Sequence, residues 1–538
     1  MRAAMRTRLF AEPGNELLHD AILHACQRFG GREALVDTSS GRRISYSEYA
    51  EMVESAARGL VAAGLRPGEV IAIYLPNCWE YAVTYHAATL AGAIPTLLNP
   101  SYREREVRYQ LADSGAVFLV TDAGRISAMD LKGLPALRKI FFTRSGSGDM
   151  FSGLLHSGLL QMRGGSVGKQ SLPKQDAPAD TTVAALPYSS GTTGLPKGVM
   201  LSHANLVTNC YQLLAPGEMG TPREGDRLLC FLPLYHIYGL NVVLNPSLLC
   251  GATAVLAPRF DVDAACKLLL EERITYLPMV PPMMNALCTA AEAGRFPKEH
   301  TVRGAKSGAA PLAAGLARRF TALTGIRVRQ GYGMTEASPV THLGYLEADR
   351  YRPDTIGQAV ALTECKLVDE RGGDVADGAP GELVMRGPQF MMGYWNAPEA
   401  TREALRPDAA GKTWYWSGDI ATRDAEGFYR IVDRRKELIK YKGFAVAPAE
   451  VEAVLLEHAA VRDCGVIGRA DDAAGELPVA FVVLKNGQQP SPGLEAKLCG
   501  YVAERLTSYK QPREVRFVDS IPRNPSGKIL RKDLRSQL

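Results

Sequence analysis

Leu186-Pro-Tyr-Ser-Ser-Gly-Thr-Thr-Gly-Leu-Pro-Lys-Gly198 is the stretch whose reading decides the fold. It follows a short apolar run, Val183 to Leu186, that reads as a strand. Two serines, two threonines, two glycines and a lysine then fall within ten residues. Glycine lets backbone N–H groups turn inward at φ values that other residues avoid. Inward N–H groups, hydroxyls and one ammonium make a cradle for polyphosphate. The spacing is not Gly-x-x-x-x-Gly-Lys-Ser/Thr: Gly191 and Gly194 are three apart, and Lys197 is followed by Gly198. Alone, the same letters also suit a solvated loop. The rest of the chain decides between the two.

Upstream, apolar residues recur at helical spacing from Leu18 to Phe29, and Gly30-Gly31 stops the run. Ala34 to Asp37 reads as a strand, and Ser45-Tyr-Ser-Glu48 as a capping box opening a helix. Val70 to Leu75 is a continuous apolar strand, and Ala93 to Leu98 another. Strands alternating with helices of this length imply a layered α/β domain with largely parallel pairing. Thr143 to Asp180, rich in Gly, Ser, Pro and Lys, reads as a surface connection. Between Ile356 and Tyr429 strands are short and turns frequent, the texture of a β-rich subdomain. Past Arg435 a compact α+β unit of about a hundred residues follows. The expected architecture is α/β. A large N-terminal domain, 1–435, holds layered α/β subdomains and the β-rich subdomain. A small mobile α+β C-terminal domain spans 436–538.

A chain of 538 residues is too long for one core. Its 46% hydrophobic content marks it as globular. A net charge of +5 is small for this length; it does not point to nucleic acid, and it suits anionic ligands. The ten cysteines are scattered, without Cys-x-x-Cys pairs, as in a reduced, cytoplasmic protein. The basic N-terminus lacks an apolar run of signal-peptide length. Leu228 to Pro258 carries no charged residue, but its prolines, asparagines and His236 argue for a buried substrate wall rather than membrane insertion.

Three further signals stand in order beyond the loop: Gly331-Tyr-Gly-Met-Thr-Glu336; Tyr415-Trp-Ser-Gly-Asp419 with Asp433-Arg-Arg-Lys-Glu-Leu-Ile-Lys-Tyr-Lys-Gly443; and Pro522-Arg-Asn-Pro-Ser-Gly-Lys528. Together the four resemble the adenylate-forming superfamily of acyl- and aryl-CoA synthetases, beetle luciferases and peptide-synthetase adenylation domains. Pro233-Leu-Tyr-His-Ile-Tyr238 and Ser307-Gly-Ala-Ala-Pro311 look most like 4-coumarate–CoA ligases. The resemblance implies an active site between two domains and two half-reactions. A carboxylate attacks the ATP α-phosphate to give acyl-AMP and pyrophosphate. A thiol, usually that of coenzyme A, then takes the acyl group. An acyl carrier protein's phosphopantetheine is the alternative acceptor.

The residues suit that chemistry, which is mainly positioning and charge neutralisation. Ser189, Ser190, Gly191, Thr192, Thr193 and Gly194, with Lys197, can hold the β- and γ-phosphates. The resemblance makes Glu336 the Mg²⁺ ligand and puts Thr335 on the α-phosphate. Tyr332, between Gly331 and Gly333 and preceded by Gln330, is placed to stack on adenine, with Gly308, Ala309 and Ala310 at its edge. Asp419 resembles the ribose-binding acid and Arg434 its ribose and phosphate partner. Lys528, on a glycine-bearing loop, is the expected adenylation catalyst. Lys436 matches the hinge position. Lys440, Lys442 and Gly443 are expected to face nucleotide or CoA in one of two poses, and Arg259 to meet CoA phosphates. His236 is expected to border the acyl carboxylate. By resemblance Tyr238, Val242, Gly331, Pro339 and Val340 line an acyl pocket, mostly apolar and without a cation. That composition suits an aryl, cinnamate-like or medium-chain fatty acid. Ala445 stands where related 4-coumarate–CoA ligases carry Gln.

Overall fold

The strand Val70–Tyr74 is apolar and buried at every position. A strand covered on both faces needs that pattern. The computed structural model of the chain describes residues 16–143, 149–153, 172–173, 178–189, 195–215, 222–442, 444–471, 474–524 and 527–538. Val70–Tyr74 lies between Ile94–Leu97 and Phe118–Thr121, parallel to both, inside an eight-stranded sheet. On one side that sheet continues through Val183–Ser189, then antiparallel through Lys197–Ser202 to Gly393–Tyr394.

A nine-stranded sheet faces it. Its interior strands, Val328–Gly333, Gly304–Ser307, Tyr276–Met279, Arg227–Cys230, Thr253–Leu256 and Glu33–Asp37, run parallel in that order. Antiparallel strands finish both edges. The helices Leu18–Phe29, Tyr46–Ala62, Trp79–Leu90 and His203–Leu214 share one apolar core with both sheets. The Ser45 capping box forms as expected. All twelve residues of His203–Leu214 are buried. Such a helix must find internal partners for its polar side chains.

The charge-free stretch is buried almost throughout. It contains a π-helix, Gly239–Leu244, that local patterning does not announce. A Cβ on Gly239 would lie 2.3 Å from the Pro233 carbonyl oxygen, so this turn accepts only glycine. Among the described residues no helix is long and apolar enough to cross a membrane. The ten cysteines are free, and no group of described residues could hold a metal through His, Cys, Asp and Glu clustering.

The segment expected as a surface connection does more than connect. Asp149–Met150 adds an edge strand, and Phe151 is buried with its ring 6.0 Å from that of Trp79. Two residues are too few to print an alternating pattern. Glu364–Val368, Gly381–Arg386, Leu405–Pro407, Thr413–Arg423 and Tyr429–Arg434 form the antiparallel β-rich sheet. Residues 435–438 lead from it to a last five-stranded sheet, which packs helices around its own apolar cores.

Candidate active site

Both parallel sheets end their strands on one cleft of about 3250 Å³, lined by Ser189, Lys197, Gly308, Tyr332, Asp419 and Lys528 among others. Ligands in open α/β sheets collect beyond such carboxyl ends. The expected phosphate loop joins two antiparallel strands whose registry sets Ser189 opposite Lys197. Ser190, Gly191, Thr192, Thr193 and Gly194 lie outside the described residues, as does Gly443.

Lys197 and Glu336 are 139 positions apart in sequence, yet one side chain joins them. The Lys197 Nζ sits 5.9 Å from the centroid of the Tyr394 ring. The Tyr394 hydroxyl donates to Glu336 Oε1 at 2.8 Å. Burial, reinforced by the Glu336 carboxylate, pushes the Tyr394 hydroxyl up, so it remains a donor. Tyr394 reaches this place because Gly393–Tyr394 pairs with Met200 and Val199 on the lysine strand. Sequence reasoning missed it, since nothing in Met-Met-Gly-Tyr-Trp marks the tyrosine. Glu336 is buried in the turn Thr335–Ala337, and its carbonyl accepts from the Met391 N–H at 2.8 Å.

The residues expected to meet the nucleotide lie together along the cleft. Gln330, Gly331, Tyr332 and Gly333 lie on one strand lining the cleft, with Ala309 opposite at φ 66°. Asp419 and Arg434 are cross-strand partners, with Arg434 Nε 3.2 Å from Asp419 Oδ1. The Tyr332 hydroxyl donates to the other carboxylate oxygen. The carboxylate is therefore fixed in position before any ligand arrives.

Lys528 comes from the other end of the chain. Arg523 and Ile529 bridge, Asn524 Oδ1 accepts from the Lys528 N–H at 2.8 Å, and Arg523 donates to the Gly527 carbonyl at 2.8 Å. Gly527, at φ 84°, presses this hairpin on Pro282, 3.1 Å from where a Cβ would sit. Lys528 thereby comes within electrostatic reach of Asp419 and Arg434. Burial and the Arg434 guanidinium lower its pKa to about 8, against the opposing pull of Glu437 and Asp419.

At the other end of the cleft stand His236, Tyr238, Val242, Pro339 and Val340. His236 Nδ1 accepts from the Tyr238 N–H at 3.2 Å, which leaves the ring proton on Nε2. Burial lowers its pKa to about 4, so the ring is neutral near pH 7. The expectation of a pocket without a cation is corrected here. Lys306 is buried, with Nζ 6.0 Å from the Tyr238 ring centroid. A Cβ on Gly331 would lie 2.9 Å from its Cε. Lys306 sits on an interior strand whose inward face only the sheet order reveals.

Lys436 and Lys440 line the cleft. Lys442 is exposed, at φ 48°, and Arg259 is exposed; the cleft includes neither. The side chain of Ala445 lies outside the described residues.

The model of the AMP-binding enzyme family matches residues 22–395, and that of the AMP-binding enzyme C-terminal domain matches 450–528. The chain is 38% identical over 533 residues to a 4-coumarate-CoA ligase of Narcissus pseudonarcissus, covering 98% of this chain and 94% of that protein. It is 36% identical to a 4-coumarate–CoA ligase of Arabidopsis thaliana, covering 98% and 93%. Among solved structures, an anthranilate CoA ligase in complex with anthranoyl-AMP superposes with a TM-score of 0.86 at 26% identity, covering 98% of each chain. A benzoate CoA ligase from Burkholderia xenovorans superposes at 0.84 with 27% identity, covering 97% of this chain and 100% of that one.

Proposed function

The chain belongs to the AMP-binding enzyme family and is an ATP-dependent acid–CoA ligase, and from that premise we propose an aromatic acid of the hydroxycinnamate type as its substrate. ATP, Mg²⁺ and coenzyme A serve the reaction. The observation that carries the site assignment is the arrival of Lys528, from near the chain's end, beside Asp419 and Arg434. A phosphate cradle, a ribose acid and a positioned ammonium are what joining a carboxylate to a tetra-anionic nucleotide requires.

In the first half-reaction the acid's carboxylate oxygen forms a bond to the α-phosphorus, and the bond to the pyrophosphate oxygen breaks. Asp419 accepts from the ribose hydroxyls, Tyr332 stacks on adenine, and Lys197 with the loop at 189–194 neutralises the β- and γ-phosphates. Lys528 donates to the attacking carboxylate and the α-phosphate. Thr335 holds an α-phosphate oxygen. The neutral His236 ring offers its Nε2 proton at the acid's carboxylate. Glu336 suits Mg²⁺, a hard cation that takes carboxylate and phosphate oxygens and there spreads the phosphate charge. Tyr394 holds that carboxylate from behind. Tyr394→Phe is expected to raise the Mg²⁺ concentration for half-maximal activity about tenfold. A magnesium titration of pyrophosphate release checks it; an unchanged midpoint removes Tyr394 from the metal site.

In the second half-reaction the CoA sulfur bonds to the acyl carbon and AMP leaves. We place the domain boundary at 435/436, with Lys436 as hinge; the connector 435–438 between two separately cored sheets supports this. Rotation there brings Lys440, Lys442 and Gly443 to the CoA side. Lys442→Ala is expected to lower the CoA-dependent rate about tenfold, the worth of one charge-assisted hydrogen bond, while acyl-AMP formation is unchanged. An unaltered thioester rate would take Lys442 out of that site.

The relatives named above act, by their names, on 4-coumarate, anthranilate and benzoate. The pocket's apolar walls fit a ring, and Lys306 offers an ammonium to a ring hydroxyl that a saturated chain lacks. The free, mostly buried cysteines support a reducing compartment such as the cytoplasm. Acid-dependent pyrophosphate release across acetate, octanoate, palmitate, benzoate and 4-coumarate, with and without CoA, tests the substrate. Fastest turnover with 4-coumarate and accumulation of its thioester are expected. Preference for octanoate or palmitate would overturn the aryl reading.

A further inference from the structure

We propose that Tyr109 and Asp113, on the helix Glu104–Ser114 and outside the cleft lining, are positioning residues that set the hold on the β- and γ-phosphates of ATP by fixing the two stems that carry Ser189 and Lys197. The proposal rests on the reading of Ser189 and Lys197 as phosphate-binding residues.

The two stems pass beyond their neighbouring strands before they reach the cleft. Val183–Ser189 pairs with Ile94–Leu97 as far as Leu97 opposite Pro187. Lys197–Ser202 pairs with Gly393–Tyr394 at Val199 and Met200, and the Gly198 carbonyl accepts from the Trp395 N–H at 2.8 Å. From there the stems pair with each other, Tyr188 opposite Gly198 and Ser189 opposite Lys197. That pairing fixes one stem against the other, and side chains of the helix set the pair against the domain. The Tyr109 hydroxyl donates to the Pro196 carbonyl at 2.9 Å, next to Lys197. The Asp113 carboxylate accepts from the Tyr188 hydroxyl at 2.6 Å, next to Ser189. Burial and that carboxylate push the Tyr188 hydroxyl up, so it remains a donor. Residues four apart share a helix face, which is why one helix reaches both stems.

Asp113 also joins the phosphate side to the magnesium side. Its carbonyl, left without an intrahelical partner by its place in the last turn, accepts from Trp395 Nε1 and from Asn396 Nδ2, each at 3.1 Å. Trp395 follows Tyr394, whose hydroxyl holds Glu336. The packing there is close: a Cβ on Gly198 would lie 3.1 Å from the Trp395 Cβ and 3.2 Å from the Tyr188 ring. One face of one helix thus fixes the stem of Ser189, the stem of Lys197 and the segment that bears Tyr394. An acid in the last turn of a helix opposes the helix dipole. Helix stability therefore does not call for Asp113, whereas the bond to Tyr188 does. Both helix residues act on the nucleotide through the stems they hold, without touching it.

The test measures equilibrium binding to the full chain, without acid so that no turnover follows. ATP with Mg²⁺ is compared with AMP, which lacks the β- and γ-phosphates, and the ratio of the two Kd values is the readout. Tyr109→Phe and Asp113→Ala are each expected to weaken ATP about five- to tenfold, the worth of one hydrogen bond, and to leave AMP within about twofold. Asp113→Asn keeps an oxygen for the Tyr188 hydroxyl and should restore most of the parental ratio. Tyr46→Phe removes a buried hydroxyl that donates to the Ser247 and Ala252 carbonyls, away from the stems, and should lower thermal stability without moving the ratio. Lys197→Ala removes the phosphate-binding charge itself. A ratio unmoved by both helix variants but moved by Lys197→Ala overturns the positioning role and leaves the phosphate reading standing. A ratio unmoved by Lys197→Ala overturns both. A ratio moved equally by Tyr46→Phe reduces the effect to general loss of stability and overturns the role. Should Asp113→Ala not fold, Tyr188→Phe, which removes only the hydroxyl that Asp113 accepts from, decides: a parental ratio overturns the proposal.

Discussion

Lys528→Ala is expected to lower acid-dependent pyrophosphate release by about a hundred- to a thousandfold, with ATP still bound. The size follows from what the residue supplies. Two anions must meet, and in the proposed mechanism Lys528 is the cation that serves their meeting point, on a hairpin held through Arg523 and Asn524. Lys528→Arg keeps the charge but not its place, and should recover little. A direct measurement is single-turnover acyl-AMP formation; parental rates in the alanine variant would end the assignment.

The same residue predicts a pH dependence. An ordinary lysine titrates near 10.5, and burial beside Arg434 brings Lys528 to about 8. Acid turnover per free enzyme should therefore fall as pH rises through about 8, because the neutral amine cannot serve two anions. Stability moves the other way. Below pH 8 the ammonium is present in both folded and unfolded chains, and its desolvation weighs on the folded one. Between 8 and 10.5 the unfolded lysine still holds a proton that the folded one has released, so this group's contribution to stability rises with pH. An activity loss accompanied by alkaline unfolding would assign the limb to the fold instead. Bound ATP adds negative charge, and the limb measured in the ATP complex should lie at higher pH.

Asp419→Asn is expected to raise the KM for ATP about a hundredfold. Its carboxylate is clamped by Tyr332 and Arg434; in the proposed role it accepts from the two ribose hydroxyls, and an amide accepts with one oxygen where the carboxylate accepts with two. A second effect comes through Lys528. The Asp419 charge helps hold that ammonium protonated, while Arg434 opposes it. Loss of the carboxylate leaves Glu437 alone to offset Arg434 there, and the alkaline limb should move to lower pH. The two effects separate on measurement. An unchanged KM for ATP would remove Asp419 from the ribose site; a raised KM with an unmoved limb would remove its hold on Lys528.

The local elements were legible where one pattern governs them. Ser45-Tyr-Ser-Glu48 formed its capping box, and Val70–Tyr74 its buried strand, because each depends on residues within a turn or a strand. Asp149–Met150 was not legible: a two-residue edge strand has no periodicity, and its pairing with Phe141 and Phe142 is a property of the sheet. The π-helix was not legible either, since it follows from the fit of Gly239 against the Pro233 carbonyl.

By itself the sequence determined the α/β class, the family and its cofactors. Those depend on short motifs whose residue types and order carry the chemistry: a glycine-rich anion cradle, an aromatic between glycines, an acid before a basic run, a lysine after glycine. The tertiary structure alone decided which groups work together. Tyr394 stands between Lys197 and Glu336, and Lys306 enters a pocket expected to hold no cation. The physical reason is the same in each case. A buried polar group must find a partner wherever the fold brings one, and the partner's position is set by sheet order and helix packing, which no local spacing records.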